Sequence, residues 1–92
     1  MTADELLEKE IEQPAMEYAE SRGWWQDKIM RTSRGSFPDR YLVRNGRTIL
    51  IEFKRPGEPP RPKQEKRHRE LRAHGAEVFV VDNLDDAKRI LR

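Results

Sequence analysis

The sequence predicts an α/β fold, a mixed β-sheet flanked by helices in the order α-β-β-β-α-β-α. Three observations predict it. The N-terminal twenty residues repeat apolar positions at helical spacing, and an Asn45-Gly46 pair joins two strand-like runs as a hairpin. A polar helical stretch then leads to the apolar run Val78-Phe79-Val80-Val81, which suits a strand returning parallel to the hairpin. At 92 residues the chain has room for one modest core, so residues 1–92 are expected to form a single domain.

In the first element Leu7, Ile11, Ala15, Tyr18 and Ala19 share one helical face, and Gly23 ends the segment. Pro14 lies inside it and predicts a kink or a break, because its ring clashes with the carbonyl of Glu10 and disfavours helical geometry at Gln13. Trp24 through Met30 reads as a first strand, with Trp24 and Trp25 expected in the core or at a dimer contact. A basic loop, Arg31-Thr32-Ser33-Arg34-Gly35-Ser36, follows it. Asp39 begins the second strand, and the Asn-Gly turn between Arg44 and Arg47 folds that strand against Thr48-Ile49-Leu50-Ile51-Glu52-Phe53-Lys54.

Arg55 to Pro62 is too rich in proline for a helix or a central strand. A helix starting at Pro62 or Lys63 runs to His74 and stops at Gly75. It is almost wholly polar, with Gln64, His68 and Leu71 on one face, and His68 is expected to be partly exposed. Val78 to Val81, apolar on both faces, predicts a central parallel strand. Asn83 caps a last helix whose acidic start, Asp85 and Asp86, and basic end, Lys88, Arg89 and Arg92, match the helix dipole.

Composition narrows the function. Charged residues (39%) outnumber apolar ones (35%), so a monomer would be marginal and a homodimer is expected to bury more surface. The absence of cysteine excludes disulfides, thiolate metal sites and cysteine nucleophiles. No long apolar run or signal-like start is present, which predicts a cytoplasmic protein without membrane contact. The net charge of +2 hides an asymmetry. Residues 1–20 carry seven acids and one lysine, whereas residues 21–75 carry fifteen Lys and Arg against six acids. Such a basic middle attracts a phosphate backbone, although most charge runs are simply solvated faces.

The chemistry concentrates in that basic middle. On the strand through Ile51, the side chains of Glu52 and Lys54 point one way and Ile49, Ile51 and Phe53 the other. A carboxylate and an ammonium on an apolar strand are costly to bury without a purpose. The hairpin brings Asp39 to the same ribbon end. Two carboxylates and an amine there can hold one divalent metal and one water, a geometry suited to phosphate chemistry.

The ordered set of Gly35, Phe37-Pro38-Asp39-Arg40, Glu52-Phe53-Lys54, Gln64, Gly75 and Val78-Phe79-Val80-Val81-Asp82 resembles the PD-(D/E)xK nuclease superfamily. Within it, the chain is similar to the virus-type replication-repair nuclease (VRR-Nuc) family, in its small phage-type form, over nearly its whole length. Two departures stand out: Pro14, and a loop one residue longer than the Gly-x-Pro-Asp often seen.

The resemblance implies a restriction-endonuclease-like core and a Mg²⁺- or Mn²⁺-dependent deoxyribonuclease with no small-molecule cofactor. Asp39, Glu52, Lys54 and Gln64 would be its catalytic residues. Glu12, Asp39, Glu52 and the Phe53 carbonyl would hold the metal, with Glu8 the alternative to Glu12 on the first helix. Gln64 would face the active site and orient Lys54, a water or a phosphate oxygen. Lys28 would hold a phosphate or guard an edge strand. With Arg34, Arg40, Arg55, Lys63 and Arg67 it makes up the expected DNA contacts. The short chain offers little apparatus for reading base edges, so branched DNA, a four-way junction first, is the expected substrate. Flap cleavage, plain nicking, or a non-cleaving DNA-binding module on the same fold are the alternatives.

Overall fold

The computed structural model describes the backbone of residues 3–92 and the side chains of residues 7–92. The elements run α1 (Ala3–Ser21), β1 (Trp25–Lys28), β2 (Arg40–Arg44), β3 (Arg47–Phe53), α2 (Pro62–Ala73), β4 (Glu77–Val81) and α3 (Leu84–Ile90). They form one four-stranded sheet in the order β1-β2-β3-β4. The first three strands are antiparallel neighbours, and β4 pairs parallel to β3 after the α2 crossover. This is the α-β-β-β-α-β-α order read from the sequence.

Local chemistry explains the joints. Asn45 and Gly46 both take positive φ, 51° and 80°, which is the two-residue turn whose twist matches that of a hairpin. They hold Arg44 opposite Arg47 and Arg40 opposite Ile51. At α3 the Asn83 side chain accepts a hydrogen bond from the Asp86 amide at 2.8 Å, which satisfies one of the orphan donors of the first turn. Ile11, Ala15, Met16 and Ala19 of α1 enter one core with Leu42, Ile49, Ile51, Phe53 and Val81 of the sheet and Ala87 and Leu91 at the C-terminal end. Trp24 is buried there and donates its indole N–H to the Leu91 carbonyl at 3.1 Å.

Three expectations change. The helix α1 runs unbroken through Pro14, because core packing by Ile11, Ala15, Met16 and Ala19 on both sides holds the turn that proline deprives of one hydrogen bond. The first strand is shorter than Trp24–Met30: Trp24 turns into the core, Trp25 is exposed against Tyr41, and Met30 lies in the following loop, 81% exposed. The strand β4 lies at the edge of the sheet rather than at its centre, and Val80 is exposed.

Candidate active site

The end of β3 gathers buried charged side chains. Glu52 and Lys54 are only 3% and 4% exposed, which is rare for charged residues without a role. Lys54 continues the parallel pairing past the end of β3 by donating its amide to the Val81 carbonyl at 2.9 Å. Its ammonium lies 3.6 Å from a Glu58 carboxylate oxygen, in the proline-rich loop. Asp39 reaches this point from the segment before β2. Its carboxylate accepts a hydrogen bond from the Phe53 amide at 2.8 Å, and its carbonyl accepts one from Ile29.

The approach of Asp39 depends on the basic loop. Gly35 and Ser36 take positive φ, 72° and 55°, a strained state for serine. Arg67 of α2 donates to the Gly35 carbonyl at 3.1 Å and to the Arg34 carbonyl at 3.2 Å, while its guanidinium also pairs with Glu70. Buried Pro38 then delivers Asp39 to the site.

Two carboxylates brought together at the end of a strand repel each other. Burial, a hydrogen bond with Asp39 and the charge of Asp39 push the Glu52 carboxyl up to about 9, with Lys54 opposing. Glu52 therefore carries a proton at neutral pH unless a cation takes its place. Burial raises the Glu8 carboxyl too, with Glu58 and then Asp39 and Glu12 adding to the effect. Glu8 thus lies within the electrostatic reach of Asp39, Glu52 and Lys54.

The structure separates the other residues expected at the site. Glu12 forms an ion pair with Arg40 at 2.7 Å, both partly buried, and Arg40 also donates to Gln26 at 2.8 Å. That contact turns the Glu12 carboxylate toward β1 and β2 and removes Arg40 from the free cations. Gln64 accepts a hydrogen bond from the Arg61 amide at 2.9 Å, so its side chain caps α2 instead of reaching Lys54. Arg55 pairs with Glu58 at 2.8 Å. Lys28, Arg34 and Lys63 are exposed, whereas Arg67 organises the loop.

His68, expected to be partly exposed, is buried at the site instead. It is 1% exposed, and its Nε2 lies 3.7 Å from Oε1 of Glu52. Neither atom has a hydrogen-bond partner among the described residues. The signal available was its place beside Gln64 and Leu71 on the one helix face that can meet the sheet.

A divalent metal fits this donor set in kind. Asp39, Glu52 and Glu8 offer hard oxygens, Glu52 presents an orphaned buried oxygen, and the carboxylate pair retains a proton that a cation can replace. Among the described residues, no three His, Asp or Glu side chains are already gathered tightly enough to enclose an ion.

No protein-family model matches the chain. A protein of Acyrthosiphon pisum secondary endosymbiont phage 1, described as "Putative nuclease p44", is 35% identical over 81 residues, 87% of each chain. A solved structure described as "VRR_NUC domain" superposes with a TM-score of 0.82 at 27% identity, over 90% of this chain and 91% of its own. The order of Pro38-Asp39, Glu52-Phe53-Lys54 and the crossover helix, the shared fold and the phage relative together make this chain a member of the VRR-Nuc nuclease family.

Proposed function

We propose that the protein is a Mg²⁺- or Mn²⁺-dependent DNA endonuclease that hydrolyses phosphodiester bonds, acting on branched DNA as a homodimer in the cytoplasm. The observation that carries this reading is the meeting of Asp39 and Glu52, with buried Lys54 beside them, at the C-terminal end of β3. Asp39, Glu52, the Phe53 carbonyl and a helix carboxylate would hold the metal. Glu8 is the better helix candidate because Glu12 is engaged by Arg40. When bound, the metal would activate water as a nucleophile and neutralise charge developing on the phosphate.

The chain's own residues account for the rest. The Phe53 amide fixes Asp39, so that the two carboxylates face each other before substrate arrives. Lys54, desolvated, would place its positive charge against a non-bridging phosphate oxygen, where a low dielectric makes that charge count. On binding DNA, Lys54 would leave the Glu58 carboxylate, at 3.6 Å a loose partner. Exposed Lys28, Arg34 and Lys63 would hold the backbone, which is shape reading rather than base reading.

Support for branched DNA and a dimer is compositional. Among the described residues no element stands apart from the sheet and its three helices to enter a groove, and exposed Trp25, tilted against Tyr41, is an apolar surface that a second copy can cover. The test is incubation of end-labelled four-way junction and matching linear duplex with and without Mg²⁺, with mass measured by light scattering. Paired, symmetric, Mg²⁺-dependent cuts in the junction alone, from a dimer, are expected. Equal cutting of both substrates leaves the nuclease and removes the junction preference. Binding without cutting in either metal overturns the enzyme reading in favour of a DNA-binding module.

A further inference from the structure

We infer that His68 is a positioning residue for the metal-holding form of Glu52, an inference that rests on the metal-site reading above. Helix α2 is polar along most of its length, and His68 is its one fully buried side chain among the described residues. It packs against the end of β3, where its Nε2 faces Oε1 of Glu52 across 3.7 Å. That separation exceeds an ordinary N–H···O hydrogen bond by about 0.8 Å. Both atoms are shut off from solvent and both lack a partner among the described residues.

An apolar side chain of similar size would fill this place without leaving a buried nitrogen unsatisfied. The unmet pair makes sense if the geometry is completed in another state. Oε1 of Glu52 is without a partner among the described residues. A Glu52 that held a cation would be ionised and would need a donor on that oxygen. A small rotation of the carboxylate would bring Oε1 to the imidazole N–H. An imidazole with its proton on Nε2 has an N–H to give at that position. Carboxylate ligands oriented by such outer partners hold metal more tightly than free ones.

The test compares two substitutions of matched shape, His68→Gln, which keeps a donor at the position of Nε2, and His68→Met, which does not. Mn²⁺ affinity is measured without DNA, from the electron paramagnetic resonance signal of free Mn²⁺, alongside thermal melting of the metal-free proteins. His68→Met is expected to weaken Mn²⁺ binding about 10- to 100-fold, with metal-free melting unchanged or raised. His68→Gln should recover most of the affinity. Equal affinity in His68→Met and wild type overturns the role of His68 while the metal site stands. So does equal loss in both variants. If wild type binds no Mn²⁺, or Glu52→Gln binds it as well as wild type, the metal-site reading itself fails.

Discussion

The Asp39 carboxylate accepts a hydrogen bond from the Phe53 amide at 2.8 Å, which locks the segment before β2 onto the end of β3. This one contact brings two acidic side chains together. Its consequence is electrostatic: Asp39 raises the Glu52 carboxyl by both hydrogen bonding and charge. Under the proposed metal-dependent reading, such a site would sacrifice stability for readiness to bind a positive ion.

The first prediction concerns pH. A carboxyl whose pKa rises from 4.5 unfolded to about 9 folded keeps a proton that the unfolded chain has already released. Its stabilising contribution is full below 4.5 and is lost as pH climbs through about 9. His68, with its pKa lowered from 6.5, works in the opposite sense, but its contribution is complete once pH exceeds 6.5. Between pH 7 and 9, therefore, the Tm of the chelator-treated protein should fall. Saturating Mg²⁺ should flatten that slope, and differential scanning calorimetry reads both.

Replacing Asp39 by asparagine keeps an acceptor for the Phe53 amide and removes the charge that burdens Glu52. Metal-free Asp39→Asn should melt above wild type at pH 8, while its DNA cleavage falls by at least about a hundredfold. Metal ligands matter no less than the partners that orient them, whose loss costs about 10- to 100-fold. A variant both less stable and fully active would contradict this account of the pair.

Glu8 and Glu12 should separate cleanly. Glu8→Gln is expected to weaken Mn²⁺ binding and cleavage with little change in melting. Glu12→Ala leaves the partly buried Arg40 without its carboxylate and should destabilise by about 1–3 kcal/mol, with metal affinity retained. Urea unfolding and metal titration on the two variants decide which carboxylate serves which purpose.

Arg67 tests whether a cation in the basic middle contacts DNA or shapes the protein. Its guanidinium holds the Arg34 and Gly35 carbonyls, next to strained Ser36. Arg67→Ala should lower kcat by misplacing Asp39 yet leave the salt dependence of DNA binding unchanged. Lys63→Ala should instead shift that slope by about one. A shallower salt slope in Arg67→Ala would make it a phosphate contact.

Much of the fold could be read from local signals. The Asn45-Gly46 turn, the alternation through Ile49, Ile51 and Phe53, and the Asn83 cap each depend on residues a few positions apart. The convergence of Asp39 and Glu52 followed from the hairpin register for the same reason. Most of what escaped depends on distant partners, Gln64 being the exception. Glu8 and Glu12 lie on one helix face, and only the position of Arg40, 28 residues beyond Glu12, decides between them. Gln64 has helical spacing that can face the site, but its oxygen finds the nearer Arg61 amide. His68 belongs to a helix so polar that only its place on one face with Gln64 and Leu71 hints at its burial. It is buried because α2 packs against β4, which places His68 beside Glu52 at the end of β3. The strand β4 is apolar on both faces, like a central strand, yet its outer side has no neighbouring strand within the chain.

The central claim is that Asp39 and Glu52 hold a metal that cuts DNA, and single-turnover cleavage by Glu52→Gln tests it most directly. End-labelled DNA is mixed with excess protein in Mg²⁺ and in chelator, with binding followed in parallel by gel shift. The account predicts cleavage by wild type in Mg²⁺ only, and none by Glu52→Gln, which still binds the DNA. Cleavage by Glu52→Gln at the wild-type rate, or by wild type in chelator, would contradict it.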